Sequence, residues 1–128
     1  MRYLLAVIGI LGLFAQPLMA QDRANTILVL DGSGSMWGQI DDVAKITIAQ
    51  EVVGKLLSTI PNDQQLGLTV YGHRTRGDCT DIETLVAPGP DTRDAIRTAV
   101  RGIKPLGKTP MTDAVIAAAQ ALRYTEEK

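Results

Sequence analysis

The stretch "TILVLDGSGSMWG", Thr26 to Gly38, decides how the rest of the chain is read. A short, continuous apolar run of this kind suits a strand buried on both faces better than a half-exposed one. It empties without a break into one carboxylate, two hydroxyls and three glycines. Asp31, Ser33 and Ser35 stand at positions i, i+2 and i+4 of a tight loop. That spacing turns three side-chain oxygens inward while the intervening glycines take backbone angles other residues resist. One carboxylate and two hydroxyls are hard donors, suited to Mg²⁺, and equally to Mn²⁺ or Ca²⁺, rather than to zinc, which favours nitrogen and sulfur.

Working outward, Ile46, Ala49, Val53, Leu56 and Ile60 recur at steps of three and four, the pattern of an amphipathic helix closed by Pro61. "LGLTVYG" (66–72) alternates as a second strand, and "IETLVA" (82–87) reads as a third, joined to it in a hairpin by the polar stretch "HRTRGDCTD". Asp91, with Asp94 three residues on, has a capping-box-like spacing and predicts a helix with Ala95, Ile96, Ala99, Val100 and Ile103 on its apolar face, ended by Gly102 and Pro105. A last helix is expected from Met111 to about Tyr124, with Pro110 in its first turn. The order is β-α-β-β-α-α, an α/β arrangement whose first two strands run parallel. Ligands of such sheets bind beyond the carboxyl ends of the strands, which is where Asp31 to Ser35 lie. Thr109, on the loop that opens the last helix, offers a fourth oxygen.

Residues 1–20, "MRYLLAVIGILGLFAQPLMA", place an arginine before a twelve-residue apolar block and a small residue at Ala20. This is the layout of a signal peptide, and the block is too short for a membrane span, which takes about 20 apolar residues. The expected mature domain, 21–128, is exported to a periplasm or secreted, with no membrane span of its own. Loss of Arg2 leaves 12 basic and 14 acidic side chains. That balance gives no electrostatic case for nucleic acid. The single cysteine, Cys79, is an odd thiol in an oxidising compartment: free, bridged to another chain, or lacking a partner outside this sequence.

"DGSGSMWGQI", followed much later by "GKTPMTDAV", resembles the von Willebrand factor type A domain with its metal-ion-dependent adhesion site. "VYGHR", "DCTDIE" and "LGKTP" are similar to bacterial secreted members. The resemblance implies Mg²⁺ held by Asp31, Ser33, Ser35 and Thr109, with an open position for a carboxylate from a protein partner. It also implies the N-terminal part of a Rossmann-like doubly wound sheet. Family members continue into a fourth strand that ends in Thr-Asp-Gly or Ser-Asp-Gly and lies beside the first. No such strand occurs before Lys128. The expectation is a domain cut short of that strand, with a second chain supplying it as the alternative, because "TILVL" would otherwise be an exposed apolar edge.

Other readings compete with this one. Gly102 to Thr109 fits the pattern G-x-x-x-x-G-K-[ST] letter for letter, yet a helix precedes it where a phosphate-binding loop needs a strand, and prolines stand at 105 and 110. A metal-free envelope scaffold is a further alternative. Asp113 suits the positive end of the last helix. "RGD" at 76–78 is a weak adhesion signal, and Trp37 suits either packing over the loop or facing a partner. The lone His73 leaves no Ser-His-acid set to assemble, so the expectation is a binding module with no catalytic residues.

Overall fold

The computed structural model describes residues 25–123; the expected signal peptide lies outside them. The elements are β1 (Asn25–Asp31), a 3₁₀ turn (Gly34–Trp37), β2 (Gln39–Ile40), β3 (Val43–Ala44), α1 (Lys45–Thr59), β4 (Gln65–Tyr71), β5 (Ile82–Gly89), α2 (Arg93–Gly102) and α3 (Met111–Ala121). β1, β4 and β5 form one mixed sheet in that order. β1 runs parallel to β4, from Asn25 opposite Gln65 to Asp31 opposite Tyr71. β4 and β5 are antiparallel neighbours joined by the expected hairpin. The α/β class and the order of the main elements are therefore as the sequence implies.

β4 is the centre of the molecule, with every residue from Leu66 to Tyr71 buried. Successive strand side chains point to opposite faces. Leu66, Leu68 and Val70 join Leu30 in a core closed by Ile46 and Leu57 of α1 and by Ile96, Val100 and Ile103. Thr69 and Tyr71 point the other way, towards the face on which α3 packs with Ala114 and Ala118 buried. A helix can approach a sheet closely where alanines meet it. Among the described residues β1 pairs on one side only, so its second edge carries no strand. No helix among them is long and apolar enough to cross a membrane.

Three expectations are corrected. Leu56 is not on the inner face of α1: it is 38% exposed, whereas Leu57 is 2% exposed. The reason is helical pitch, since Leu57 lies eleven residues after Ile46, about three full turns, and so comes back beneath it. Asp91 does not cap α2. Its backbone is left-handed (φ 56°), the cap position falls on Thr92, and no side chain closes the helix end. The Thr92 hydroxyl instead donates to the Leu66 carbonyl at 2.6 Å and so ties the start of α2 to the sheet, while Asp94 pairs with Arg97. Pro110 stands at the cap of α3 rather than in its first turn, its carbonyl accepting the Ala114 N–H, and the helix ends at Ala121. The residues at the expected far end, Tyr124 included, lie outside the described range.

The β2–β3 hairpin is an addition that periodicity does not foretell. Its tip is Asp41-Asp42, both left-handed at φ 49° and 64°, as a two-residue turn of the twisted hairpin type requires. It leads the chain from the loop after β1 into α1, with the Lys45 N–H donating to the Gly38 carbonyl.

Candidate metal site

Asp31 ends β1, and its carboxylate Oδ1 accepts the Ser33 N–H at 2.7 Å. That bond folds the chain back so that the turn Gly34–Trp37 begins at once. Ser33 is 1% exposed, Asp31 is half-buried and Ser35 is exposed. The Ser33 and Ser35 hydroxyl oxygens lie 2.9 Å apart and share a hydrogen bond. For an ion with oxygens at 2.0–2.1 Å in octahedral array, neighbouring ligand oxygens are about 2.9 Å apart. The hydrogen-bonded spacing of the two serines equals that edge length, and the donor set of one carboxylate and two hydroxyls fits a hard dication.

The loop after α2 is brought to this turn by backbone pairing. Ser33 and Gly107 form a parallel bridge, the Gly34 N–H donates to the Gly107 carbonyl at 3.0 Å, and the Trp37 indole N–H donates to the Pro105 carbonyl at 2.8 Å. Thr109, two residues beyond Gly107, is exposed at the start of α3. Ser33 and Gly107, far apart in sequence, thus share one end of the sheet. Among the described residues no three of His, Cys, Asp and Glu gather into a metal-holding group, so an ion here would have to rest on hydroxyls with Asp31 as the carboxylate.

The same pairing bears on the phosphate-loop pattern. The Leu106 N–H donates to the Gly32 and Gly72 carbonyls at 3.1 and 3.3 Å, and the Gly107 N–H to the Gly72 carbonyl at 2.7 Å. A phosphate cradle needs such N–H groups pointing outwards. Here they hold the loop to its neighbours, and a helix, not a strand, leads into it.

Gly72 is the junction of the site. Its φ is +70°, and a β-carbon there would stand 2.2 Å from the Lys108 carbonyl oxygen. Only glycine lets the β4 end and the Lys108 backbone meet so closely. Beneath it, Tyr71 is buried opposite Asp31. Burial first, then the charge of Asp31 and a hydrogen bond to it, push the Tyr71 hydroxyl up to about 12, so it remains a donor to that carboxylate.

Sequence reasoning missed the group that organises the β4–β5 loop. Asp81 is 1% exposed, and its carboxylate accepts the backbone N–H groups of Arg74 (2.7 Å) and Thr75 (2.9 Å) and the Arg74 Nε–H (2.6 Å). Burial alone would raise its pKa, but the Arg74 side chain and the two backbone donors outweigh that and hold it below the usual carboxylate range. Nothing in "RGDCTDIE" distinguishes Asp81 from Asp78 by type. Asp78 caps its own turn, its Oδ1 accepting the Thr80 N–H and hydroxyl at 2.7 Å each, which engages one oxygen of the acid of the RGD tripeptide. His73 reaches Glu83 through Nε2 at 3.2 Å, while its Nδ1 is buried with no hydrogen-bond partner. Cys79 is an exposed free thiol, and Asp113 lies exposed in the first turn of α3.

Comparison with known proteins agrees with this architecture. Two proteins of Bacillus subtilis (strain 168) are similar: the uncharacterized protein YwmD, 31% identical over 90% of this chain and 57% of its own length, and the uncharacterized protein YwmC, 28% identical over 75% of this chain and 45% of its own. The chain thus spans about half the length of these relatives. Residues 26–128, which take in the paired loops at Asp31–Ser35 and Gly107–Thr109, match the von Willebrand factor type A domain, and the chain belongs to that family.

Proposed function

We propose that this domain recognises a protein partner through a divalent metal, with Mg²⁺ held by Asp31, Ser33, Ser35 and Thr109 and an open position taken by a carboxylate of the partner. Domains of this family are generally protein-interaction modules. The observation that carries the metal reading is the 2.9 Å separation of the Ser33 and Ser35 oxygens beside Asp31, on a turn that backbone pairing locks to the loop of Thr109. Hydroxyl ligands leave the ion most of its charge, which favours an anionic group at the open position. The apolar N-terminal segment supports action in the cell envelope, in a periplasm or outside the cell. No residue is assigned a catalytic part.

Isothermal calorimetry with Mg²⁺ tests the site. With one carboxylate in the set, the expected affinity of this chain is weak, about millimolar, and is abolished by Asp31→Ala and reduced by Ser33→Ala. Binding of equal strength in wild type and Asp31→Ala would sink the assignment. A partner pull-down that survives chelator would support a metal-free scaffold in its place.

A further inference from the structure

Asp81 belongs to no proposed ligand set, yet it is the most completely bonded acid among the described residues: three donors converge on a carboxylate that is 1% exposed. Its own carbonyl accepts the Gly72 N–H at 2.8 Å. Gly72 in turn offers its carbonyl to the N–H groups of both Leu106 and Gly107. Thr75, whose N–H is on Asp81, brings its carbonyl oxygen to within 2.5 Å of where a β-carbon on Gly107 would stand. A continuous series of bonds therefore runs from Asp81 through residues 72–75 to the 105–107 loop, and from there to Ser33 and Gly34 through Gly107 and to Trp37 through Pro105.

We infer that Asp81 is a positioning residue for the metal site. By fixing the 72–75 loop it sets the height at which the 105–109 loop docks, and so places Thr109 against the turn of Asp31, Ser33 and Ser35. The inference rests on the metal reading for its functional meaning, while the docking itself is structural. A neutral amide in place of the carboxylate offers one acceptor oxygen where the charged group uses two. The Arg74 and Thr75 N–H groups both bond Oδ2 and the Arg74 Nε–H bonds Oδ1, so an amide that keeps its oxygen towards the backbone turns its NH₂ on the guanidinium, the Arg74 brace is lost, and the 72–75 loop loosens. Arg74, with its side chain 47% exposed, braces the carboxylate from the solvent side.

The test is hydrogen exchange on the full chain, read at the Leu106 and Gly107 amides relative to Leu68 in β4, together with Mg²⁺ calorimetry and the emission of Trp37, the only tryptophan. Asp81→Asn is expected to speed exchange of the two loop amides at least tenfold relative to Leu68, shift the Trp37 emission, and weaken Mg²⁺ at least tenfold. Ile96→Val, a core truncation away from the loops, loosens the fold generally and should move all three amides together with Mg²⁺ affinity kept. A folded Asp81→Asn protein with the wild-type exchange ratio overturns the inference. If Asp81→Asn does not fold, Arg74→Ala replaces it: a selective rise of about threefold at the loop amides supports the inference, and an unchanged ratio overturns it. Should the exchange result hold while wild type shows no Mg²⁺ binding, the metal reading fails and the docking role of Asp81 stands.

Discussion

Two aspartates, Asp31 and Asp81, sit at the same end of the sheet, one closing β1 and the other just before β5, and each accepts a backbone N–H from a loop residue. Asp81 is buried, with two backbone donors and a guanidinium. Asp31 is half-buried and takes a backbone N–H and the Tyr71 hydroxyl, beside two serine hydroxyls that bond chiefly to each other. The first arrangement engages both carboxylate oxygens with three donors and buries the group away from solvent. The second retains lone pairs facing solvent next to other oxygens, which is the condition for holding an ion. On the proposed metal reading, acids of one type are sorted into structural and ligand-binding roles by how many donors the fold supplies.

That distinction predicts unequal costs. Asp81→Ala strands the Arg74 and Thr75 N–H groups and is expected to destabilise the domain by about 2–4 kcal/mol, at about 1–2 kcal/mol for each of these part-buried groups left unmet; urea unfolding checks this. Acid should expose the same residue. Because the folded pKa of Asp81 lies below its unfolded value of about 3.9, its stabilising contribution is fully present above that pH and is lost as the pH falls through the lower folded value. Unfolding followed from pH 6 to pH 2 should show this acid limb, and Asp81→Asn should flatten it.

Asp31→Ala is the contrasting case. It removes the Ser33 N–H bond at the rim of the fold and the acceptor of the Tyr71 hydroxyl, so a stability change of about 1–2 kcal/mol is expected, less than for Asp81→Ala, together with complete loss of Mg²⁺ binding. A loss of stability matching that of Asp81→Ala would erase the distinction between the two acids. The smallest effect belongs to Tyr71. Ultraviolet titration of the metal-free protein should find one tyrosine ionising near pH 12, and Tyr71→Phe should remove that step. The raised value means that the neutral hydroxyl is the form the fold favours, with its contribution intact below about pH 10 and lost as the pH climbs through the folded value. Tyr71→Phe should weaken Mg²⁺ only two- to threefold, since the Ser33 N–H still orients Asp31.

Much of the fold is legible in the chain because strands and helices leave different periods. "TILVL" and "LGLTVY" read as neighbouring strands, and they pair in parallel over their whole length. The slip from Leu57 to Leu56 shows the limit: adjacent leucines both fit a loose three-or-four rule, and only the accumulated pitch from Ile46 separates them. The Asp41-Asp42 turn was illegible because it lacks the Asn-Gly that usually marks such a hairpin. Asp81 was illegible for another reason. Its donors are backbone groups of a loop whose path depends on the antiparallel register of β4 and β5.

The sequence by itself determined the order of the main elements, the apolar character of the central strands and the one-carboxylate, two-hydroxyl set at Asp31, Ser33 and Ser35, since these follow from residue type and short-range spacing. Tertiary structure decided that Gly107 pairs with Ser33, that Gly72 joins the loops at a distance no other residue permits, and that Asp81 rather than Asp78 is buried beneath them. Each of these depends on backbone groups from distant segments meeting at one end of the sheet, and a backbone carbonyl or N–H has no identity in a sequence until the fold gives it a partner.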